Sequence, residues 1–335
     1  METMATYSVY DKVDFRTLDI WQLDKTGGLY YDTGPTGYEL DFNDRTAILV
    51  QGHDLTYARN GDPTSGTTTA LDYDDGAGLY STLRGIDVTV AHEKTFFDHN
   101  DTQYVLKDIF AGNDTINGSR YSDYIDGYTG ADTMKGGDGD DVYIVDNSGD
   151  RVIERSLNGV DLVKSSVSFS IGGQFIENLT LTGTSAINGT GNTGDNVLTG
   201  NAAANTLKGG AGDDALIGGR GRDVLLGGAG DDTFQFKSIR DSAAGAEHRD
   251  QISDFTIGAD HIDLHLIQAV TGATGDQPFS FIGDAAFSKQ AGQLHALVSG
   301  SATIVEGDVN GDGKADFQIS LKNVVETLHA SDFLL

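Results

Sequence analysis

A nine-residue phrase recurs in this chain with almost no drift. Gly209-Gly210-Ala211-Gly212-Asp213-Asp214-Ala215-Leu216-Ile217 is followed directly by Gly218-Gly219-Arg220-Gly221-Arg222-Asp223-Val224-Leu225-Leu226. Gly227-Gly228-Ala229-Gly230-Asp231-Asp232-Thr233-Phe234-Gln235 comes next. The shared form is G-G-x-G-x-D-x-U-x, with U a large apolar residue. Glycines permit backbone angles that a Cβ forbids, so the first part of each unit can form a tight loop whose carbonyl oxygens face an ion. The Asp adds a carboxylate. The apolar residue two places later sits on a short strand and faces inward. One such strand cannot bury its side chain alone, so the unit demands an array of stacked copies.

Two blocks of this unit are visible. The first holds units at 109–117, 118–126, 127–135 and 136–144, with Asp114, Asp123, Asp132 and Asp141 at the acidic position and Ile116, Ile125, Met134 and Tyr143 at the apolar one. Its glycines are worn, with Ser119-Arg120-Tyr121 in place of Gly-x-Gly. The second block runs from 191 to 235, with Asn196, Asn205, Asp214, Asp223 and Asp232 at the acidic position and Leu198, Leu207, Leu216, Leu225 and Phe234 inside. Ala203 stands where a glycine is expected. These Asp and Asn side chains, with the loop glycines Gly130, Gly137, Gly139, Gly210, Gly212, Gly219, Gly221, Gly228 and Gly230, are the candidate metal ligands. Carboxylate and carbonyl oxygens without Cys or clustered His select a hard cation. A flexible cage of many oxygens suits Ca²⁺ better than Mg²⁺, which prefers a strict octahedron and keeps its waters.

The phrase resembles the RTX nonapeptide of secreted bacterial proteins, which wind into a calcium-loaded parallel β-roll. In that family two nonads make one turn. The resemblance therefore pairs Asp114 with Asp132, Asp123 with Asp141, Asn196 with Asp214, Asn205 with Asp223, and Asp214 with Asp232, each pair holding an ion between adjacent turns. Several Ca²⁺ ions are expected.

Residues 145–190 lack nonads but alternate, as in Val163-Lys164-Ser165-Ser166-Val167-Ser168-Phe169-Ser170-Ile171, and read as strands that join the two blocks. Asp146, Asp150 and Asp161 are further candidate ligands, with solvated turn carboxylates as the alternative. Residues 236–335 resemble the C-terminal domain of serralysins, through Asp250-Gln251-Ile252-Ser253-Asp254-Phe255 and Gly258-Ala259-Asp260-His261-Ile262-Asp263-Leu264. The same region holds Asp308, Asn310, Asp312 and Asp316 in a D-x-N-x-D-G-x-x-D segment with calcium-loop spacing. It has Ile319 where an EF-hand has its Glu, and a metal-free Asx-rich hairpin turn is the alternative. The terminal Asp332-Phe333-Leu334-Leu335 resembles the uncleaved export signal of serralysin-like type I secretion substrates.

Charge and composition narrow the partners. Fifty-one acidic residues against 22 basic ones give a net charge of −29, which argues against a nucleic-acid partner. There is no cysteine and hence no disulfide framework, so calcium is the expected staple. No run approaches the ~18 apolar residues of a membrane span. The start, Met1-Glu2-Thr3-Met4-Ala5-Thr6, lacks the basic and apolar regions of a signal peptide, so the export route expected is the C-terminal one.

Residues 1–108 alternate at Tyr38-Glu39-Leu40-Asp41-Phe42 and at Ile86-Asp87-Val88-Thr89-Val90, which predicts a β-rich, sandwich-like module. Its minimum role is to cap the open end of the roll. A zinc-protease motif is lacking: His92-Glu93-Lys94-Thr95-Phe96 begins like H-E-x-x-H, but Phe96 replaces the second His. G-x-S-x-G is also absent. No catalytic residue is assigned, and a non-enzymatic protein is expected.

The expected fold is all-β. It comprises an N-terminal module (1–108), a parallel β-roll (109–235, with nonads at 109–144 and 191–235 and bridging strands at 145–190) and a serralysin-type C-terminal domain (236–335). The leading functional reading is an exported calcium-binding RTX protein that folds on extracellular Ca²⁺, at the cell surface or in the matrix, with the type I secretion apparatus as partner. Two others stay open at this point: an adhesin or biofilm protein that binds extracellular polysaccharide or its own copies, and a small carbohydrate-active enzyme or its targeting module.

Overall fold

The computed structural model describes residues 6–9, 37–41, 47–57, 63–74, 79–89, 112–113, 115–117, 122–155, 159–275 and 277–335, the first five spans as backbone alone. Among the described residues every regular element is a strand except the 3-10 turn Ala330–Asp332. The chain divides into two compact units, Met1–Val163 and Lys164–Leu335.

In the first unit the strands Gly37–Asp41, Ala47–Tyr57, Pro63–Asp74 and Leu79–Thr89 pair antiparallel in sequence order, and Leu79–Thr89 pairs with Thr6–Val9. Thr6–Val9 then pairs in parallel with Thr115–Asn117, which pairs with Thr133–Lys135 and through it with Arg151–Val152. One eight-stranded sheet thus changes from meander to roll at Thr6–Val9. A second parallel pair, Tyr124–Asp126 on Val142–Val145, takes the alternate nonads.

The second unit shows why the repeat must stack. Asn178–Leu181, Val197–Thr199, Ala215–Ile217, Thr233–Gln235, His261–Asp263 and Phe333–Leu334 lie side by side in parallel. The alternate strands, Gly189–Thr190, Thr206–Ala211, Val224–Ala229 and Asp250–Ile252, form the opposing parallel face. Leu198 pairs with Leu216 and Leu216 with Phe234 on one face, and Leu207 with Leu225 on the other. All five are fully buried. Each burial of this kind contributes about 1.5–3 kcal/mol, and the strands are too short to bury anything without both neighbours.

Beyond the nonads the roll is closed by other sequence. Phe317–Lys322 pairs in parallel with Asp250–Ile252, then antiparallel with Ala302–Asp308, which pairs antiparallel with Gln293–Ser299. The Phe279 and Phe317 rings meet edge to face at 5.6 Å. The terminal strand is anchored by Phe333 against Phe281, with ring centroids 4.9 Å apart.

Candidate metal centre

The acidic residues of successive turns form a ladder. Each places one carboxylate oxygen over the turn before it, where it accepts the backbone N–H of the residue at the same position. The Asn196 N–H donates to Asp214 Oδ1 at 2.8 Å, Asp214 N–H to Asp232 Oδ1 at 2.9 Å, and Asp232 N–H to Asp260 Oδ1 at 3.0 Å. On the alternate nonads, Asn205 N–H donates to Asp223 Oδ1 and Asp223 N–H to Asp250 Oδ1, both at 2.7 Å. Asp250 N–H ends that series on the buried Ser242 Oγ at 2.7 Å. The first unit repeats the scheme: Asp123 N–H donates to Asp141 Oδ1 at 2.7 Å, Asp132 N–H to Asp150 Oδ1 at 3.0 Å, and Asp141 N–H to Asp161 Oδ1 at 2.8 Å. Asp114 lies outside the described residues.

The second carboxylate oxygen does something different. Asp141, Asp214, Asp223, Asp232 and Asp250 are each nearly or fully buried, yet their Oδ2 atoms have no hydrogen-bond partner. Unpaired buried carboxylate oxygens of this kind are costly. Burial accordingly raises the carboxyl pKa values from 3.8, to about 9 at Asp250, about 8 at Asp141, about 7 at Asp214 and Asp223 and about 6 at Asp232, with neighbouring carboxylates adding to the shift. Burial likewise raises Asp150, Asp254 and Asp260.

The glycines shape the space around these oxygens. A Cβ on Gly218 would lie 2.6 Å from Asp223 Oδ2, and one on Gly209, Gly227 or Gly136 would meet Asp214, Asp232 or Asp141 in the same way. The first glycine of the unit is therefore needed for room beside its own Asp. The later ones are needed for conformation. Gly130, Gly137, Gly139, Gly210, Gly212, Gly219, Gly221, Gly228 and Gly230 all have positive φ, from 83° at Gly219 to 148° at Gly130. They also lie against the previous turn: a Cβ on Gly219 or Gly221 would come within 2.7 Å of the Asn201 or Ala203 carbonyl oxygen. Buried carboxylates beside close-packed backbone carbonyls are a hard-oxygen donor set, and the residues fit a calcium-type cation.

Asn196 and Asn205 stand on the same ladder with a different chemistry. Asn196 Nδ2 donates to the Ile176 and Glu177 carbonyls at 3.1 and 3.3 Å, and Asn205 Nδ2 to the Ile187 carbonyl at 2.6 Å. Their Oδ1 atoms accept the Asn192 and Asn201 N–H groups at 2.7 and 2.8 Å. The segment beneath offers carbonyls, so an amide donor sits where later turns have a carboxylate.

The hairpin between Ala302–Asp308 and Phe317–Lys322 is tied by its own acids. Asp308, fully buried, accepts the Gly311 and Gly313 N–H groups at 2.6 and 2.9 Å. Asp316 accepts the Val309 N–H at 2.8 Å and the Asn310 side-chain amide at 2.7 Å. Asn310 and Asp312 accept the N–H groups two residues on, both at 2.8 Å.

Asp250, Asp254, Asp260, Ser242 and Glu154 belong to the ladder or its ends but carry no nonad. A partial signal exists: Asp150-Arg151-Val152, Asp161-Leu162-Val163, Asp250-Gln251-Ile252 and Asp260-His261-Ile262 keep the Asp-x-apolar end of the unit without its glycines. Both blocks also close alike. Asp254 Oδ1 accepts the Gly227 N–H at 3.1 Å, as Glu154 Oε1 accepts the Gly136 N–H at 3.2 Å.

Stacked glycine loops around buried carboxylates, on a parallel two-faced roll, define a β-roll protein of the RTX type. The chain belongs to the Peptidase M10 serralysin C-terminal family, which matches residues 110–335. Among solved structures it is similar to a subunit of the mannuronan C5-epimerase of Azotobacter vinelandii, with 25% identity and a TM-score of 0.33 over 46% of this chain and 81% of that one. It is also similar to an extracellular lipase of Serratia marcescens, with 19% identity and a TM-score of 0.22 over 67% of this chain and 40% of that one. No curated protein matches the chain. Among the described residues no helix is long and apolar enough to cross a membrane.

Proposed function

We propose that this is an exported calcium-binding protein whose roll folds when extracellular Ca²⁺ reaches it. The observation that carries the reading is the set of buried, unpartnered Oδ2 atoms at Asp214, Asp223, Asp232 and Asp250. These side chains, with Asp260 and the carbonyls of the loops at 209–212, 218–221 and 227–230, would hold the ions. Calcium supplies the positive charge that lets these carboxylates stay ionised while buried. Oδ1 of each ladder residue fixes the spacing of adjacent turns, and the glycines keep Cβ atoms out of the cradle. In a calcium-poor cytosol the carboxylates repel and the chain stays unfolded enough for a type I channel. Outside, binding free energy becomes folding free energy. The family match over 110–335 supports the export route. The test is far-ultraviolet circular dichroism of the full chain in a chelator and after adding Ca²⁺. Loss and return of the β-sheet signal is expected at growth temperature, the chelated fold persisting only on cooling and melting below it, and a spectrum indifferent to chelation would sink the reading.

A further inference from the structure

The roll of the second unit turns at two edges, and the two carry opposite charge. One edge is made by the loops at 191–196, 209–214 and 227–232, which lead into Val197–Thr199, Ala215–Ile217 and Thr233–Gln235. Asp195, Asp213 and Asp231 are exposed there, one per turn and about 4.8 Å apart along the stack. They are not ladder residues. The Asp213 N–H donates to Asp195 Oδ1 and the Asp231 N–H to Asp213 Oδ1, both at 2.8 Å, so the row is held in line. These loops contain no Lys or Arg.

The opposite edge is made by the loop at 218–223, between Ala215–Ile217 and Val224–Ala229, and by the longer segment 236–249, between Thr233–Gln235 and Asp250–Ile252. It carries Arg220, Arg222, Lys237, Arg240 and Arg249 against Asp241, Glu247 and the buried ladder residue Asp223, a positive edge on a chain of net charge −29. Arg220, Arg222, Lys237 and Arg240 are exposed. Among the described residues every ion pair involves a histidine, so none of these cations is ion-paired within the fold, although Arg222 lowers the Asp250 carboxyl pKa from nearby. Asp241 is taken by its own turn, accepting the Lys237 and Ser238 N–H groups at 2.9 and 3.0 Å. The longer segment is pinned, because Gln318 Oε1 accepts the Gly245 N–H at 2.7 Å and Arg249 Nη1 at 3.4 Å.

Cations gathered without carboxylate partners, on a protein with 51 acidic residues, match an acidic surface from outside the fold. Another copy supplies one. Its acidic edge repeats at the same turn spacing that presents the arginines, a match that an anionic polymer does not have built in. We propose that copies of this protein associate side by side, the acidic edge of one roll against the arginine edge of the next. The contact is head-to-tail, leaves a free edge of each kind and can add further copies. No ladder carboxylate takes part, so the proposal stands or falls separately from the calcium sites.

The test is sedimentation velocity of the full chain in Ca²⁺, with its β-sheet circular dichroism intact. The weight-average mass is expected to rise with protein concentration at about 0.01 M ionic strength. It should return to the monomer value at about 1 M, where the screening length has dropped from about 30 to about 3 Å. Arg220→Glu/Arg222→Glu and Asp213→Lys/Asp231→Lys are each expected to stay monomeric alone. An equimolar mixture of the two is expected to associate, because each then meets an edge of opposite charge. That rescue separates a lost contact from a damaged fold. Should the aspartate variant not fold, carbodiimide coupling of ¹⁵N-labelled to unlabelled parent is the second reading. Amide links from Lys237 of one copy to Asp195, Asp213 or Asp231 of another are expected by mass spectrometry. A parent monomeric at both ionic strengths, a mixture of folded variants that stays monomeric, or the absence of links between copies overturns the proposal. So does a monomeric parent that binds polyglutamate through Arg220 and Arg222, which gives that edge to an anionic polymer instead.

Discussion

The backbone N–H of Asp214 donates to Oδ1 of Asp232, one turn further on, at 2.9 Å. The residue that would offer an oxygen to an ion under the proposed function is thus also the rung that spaces the turns, and the two roles belong to different oxygens of one carboxylate.

That division separates two substitutions at Asp214. Asp214→Asn can keep an oxygen on the Asn196 N–H while losing the charge. Its calcium-free stability should equal or exceed the parent's, and its stabilisation by calcium should shrink. Asp214→Ala leaves the Asn196 N–H buried without its acceptor, at a cost of about 1–3 kcal/mol with or without calcium. Thermal melts in chelator and in calcium distinguish the two.

Asn196→Asp brings the unit nearer its consensus, and is nevertheless expected to destabilise the protein. A carboxylate there would face the Ile176 and Glu177 carbonyls that Asn196 Nδ2 now bonds. The lost bonds and the carbonyl-facing charge amount to about 1–3 kcal/mol in calcium-free protein at neutral pH. A denaturant midpoint at or above the parent's would contradict this account of why Asn begins the block.

Calcium-free protein should be more stable in acid than in base. The buried carboxyls have folded pKa values raised from 3.8, to about 9 at Asp250, about 8 at Asp141 and about 7 at Asp214 and Asp223. Between those limits the folded state binds more protons than the unfolded one. Stability is therefore present below about pH 4 and lost as pH rises through each folded pKa. In saturating calcium the trend reverses, because protons compete with the ion for the same oxygens. Melting temperatures at pH 4.5, 6 and 8, as approximate test points across that window, check both slopes. A chelated protein that gains stability toward pH 8 would refute the sign.

Two glycines should fail for different reasons. Gly227→Ala puts a Cβ onto the Asp232 carboxylate, so calcium binding should fall along with stability. Gly258, with φ 81° and nothing near its Cβ position, carries conformational strain alone. Gly258→Ala should cost about 1–2 kcal/mol and leave the ion count intact. Calcium titration of both variants is the measurement.

The sequence by itself determined the unit and its stacking. Nine-residue spacing of apolar residues at Leu198, Leu207, Leu216, Leu225 and Phe234 leaves little but a roll, because no single strand of this length can bury them. The family's two-nonad turn also anticipates the partners, and Asn196 does meet Asp214, as Asn205 meets Asp223. Only the tertiary structure decided how the ladder ends. The step grows from 18 residues at Asp214–Asp232 to 27 at Asp223–Asp250 and 28 at Asp232–Asp260, because an intervening loop leaves the roll and returns. Period-based reading loses such residues, and their Asp-x-apolar triplets are too short to be recognised alone. Nor could spacing distinguish an Asn that bonds carbonyls from an Asp that leaves an oxygen bare. That difference depends on whether the turn beneath offers an N–H or a carbonyl, and only the folded neighbour supplies it.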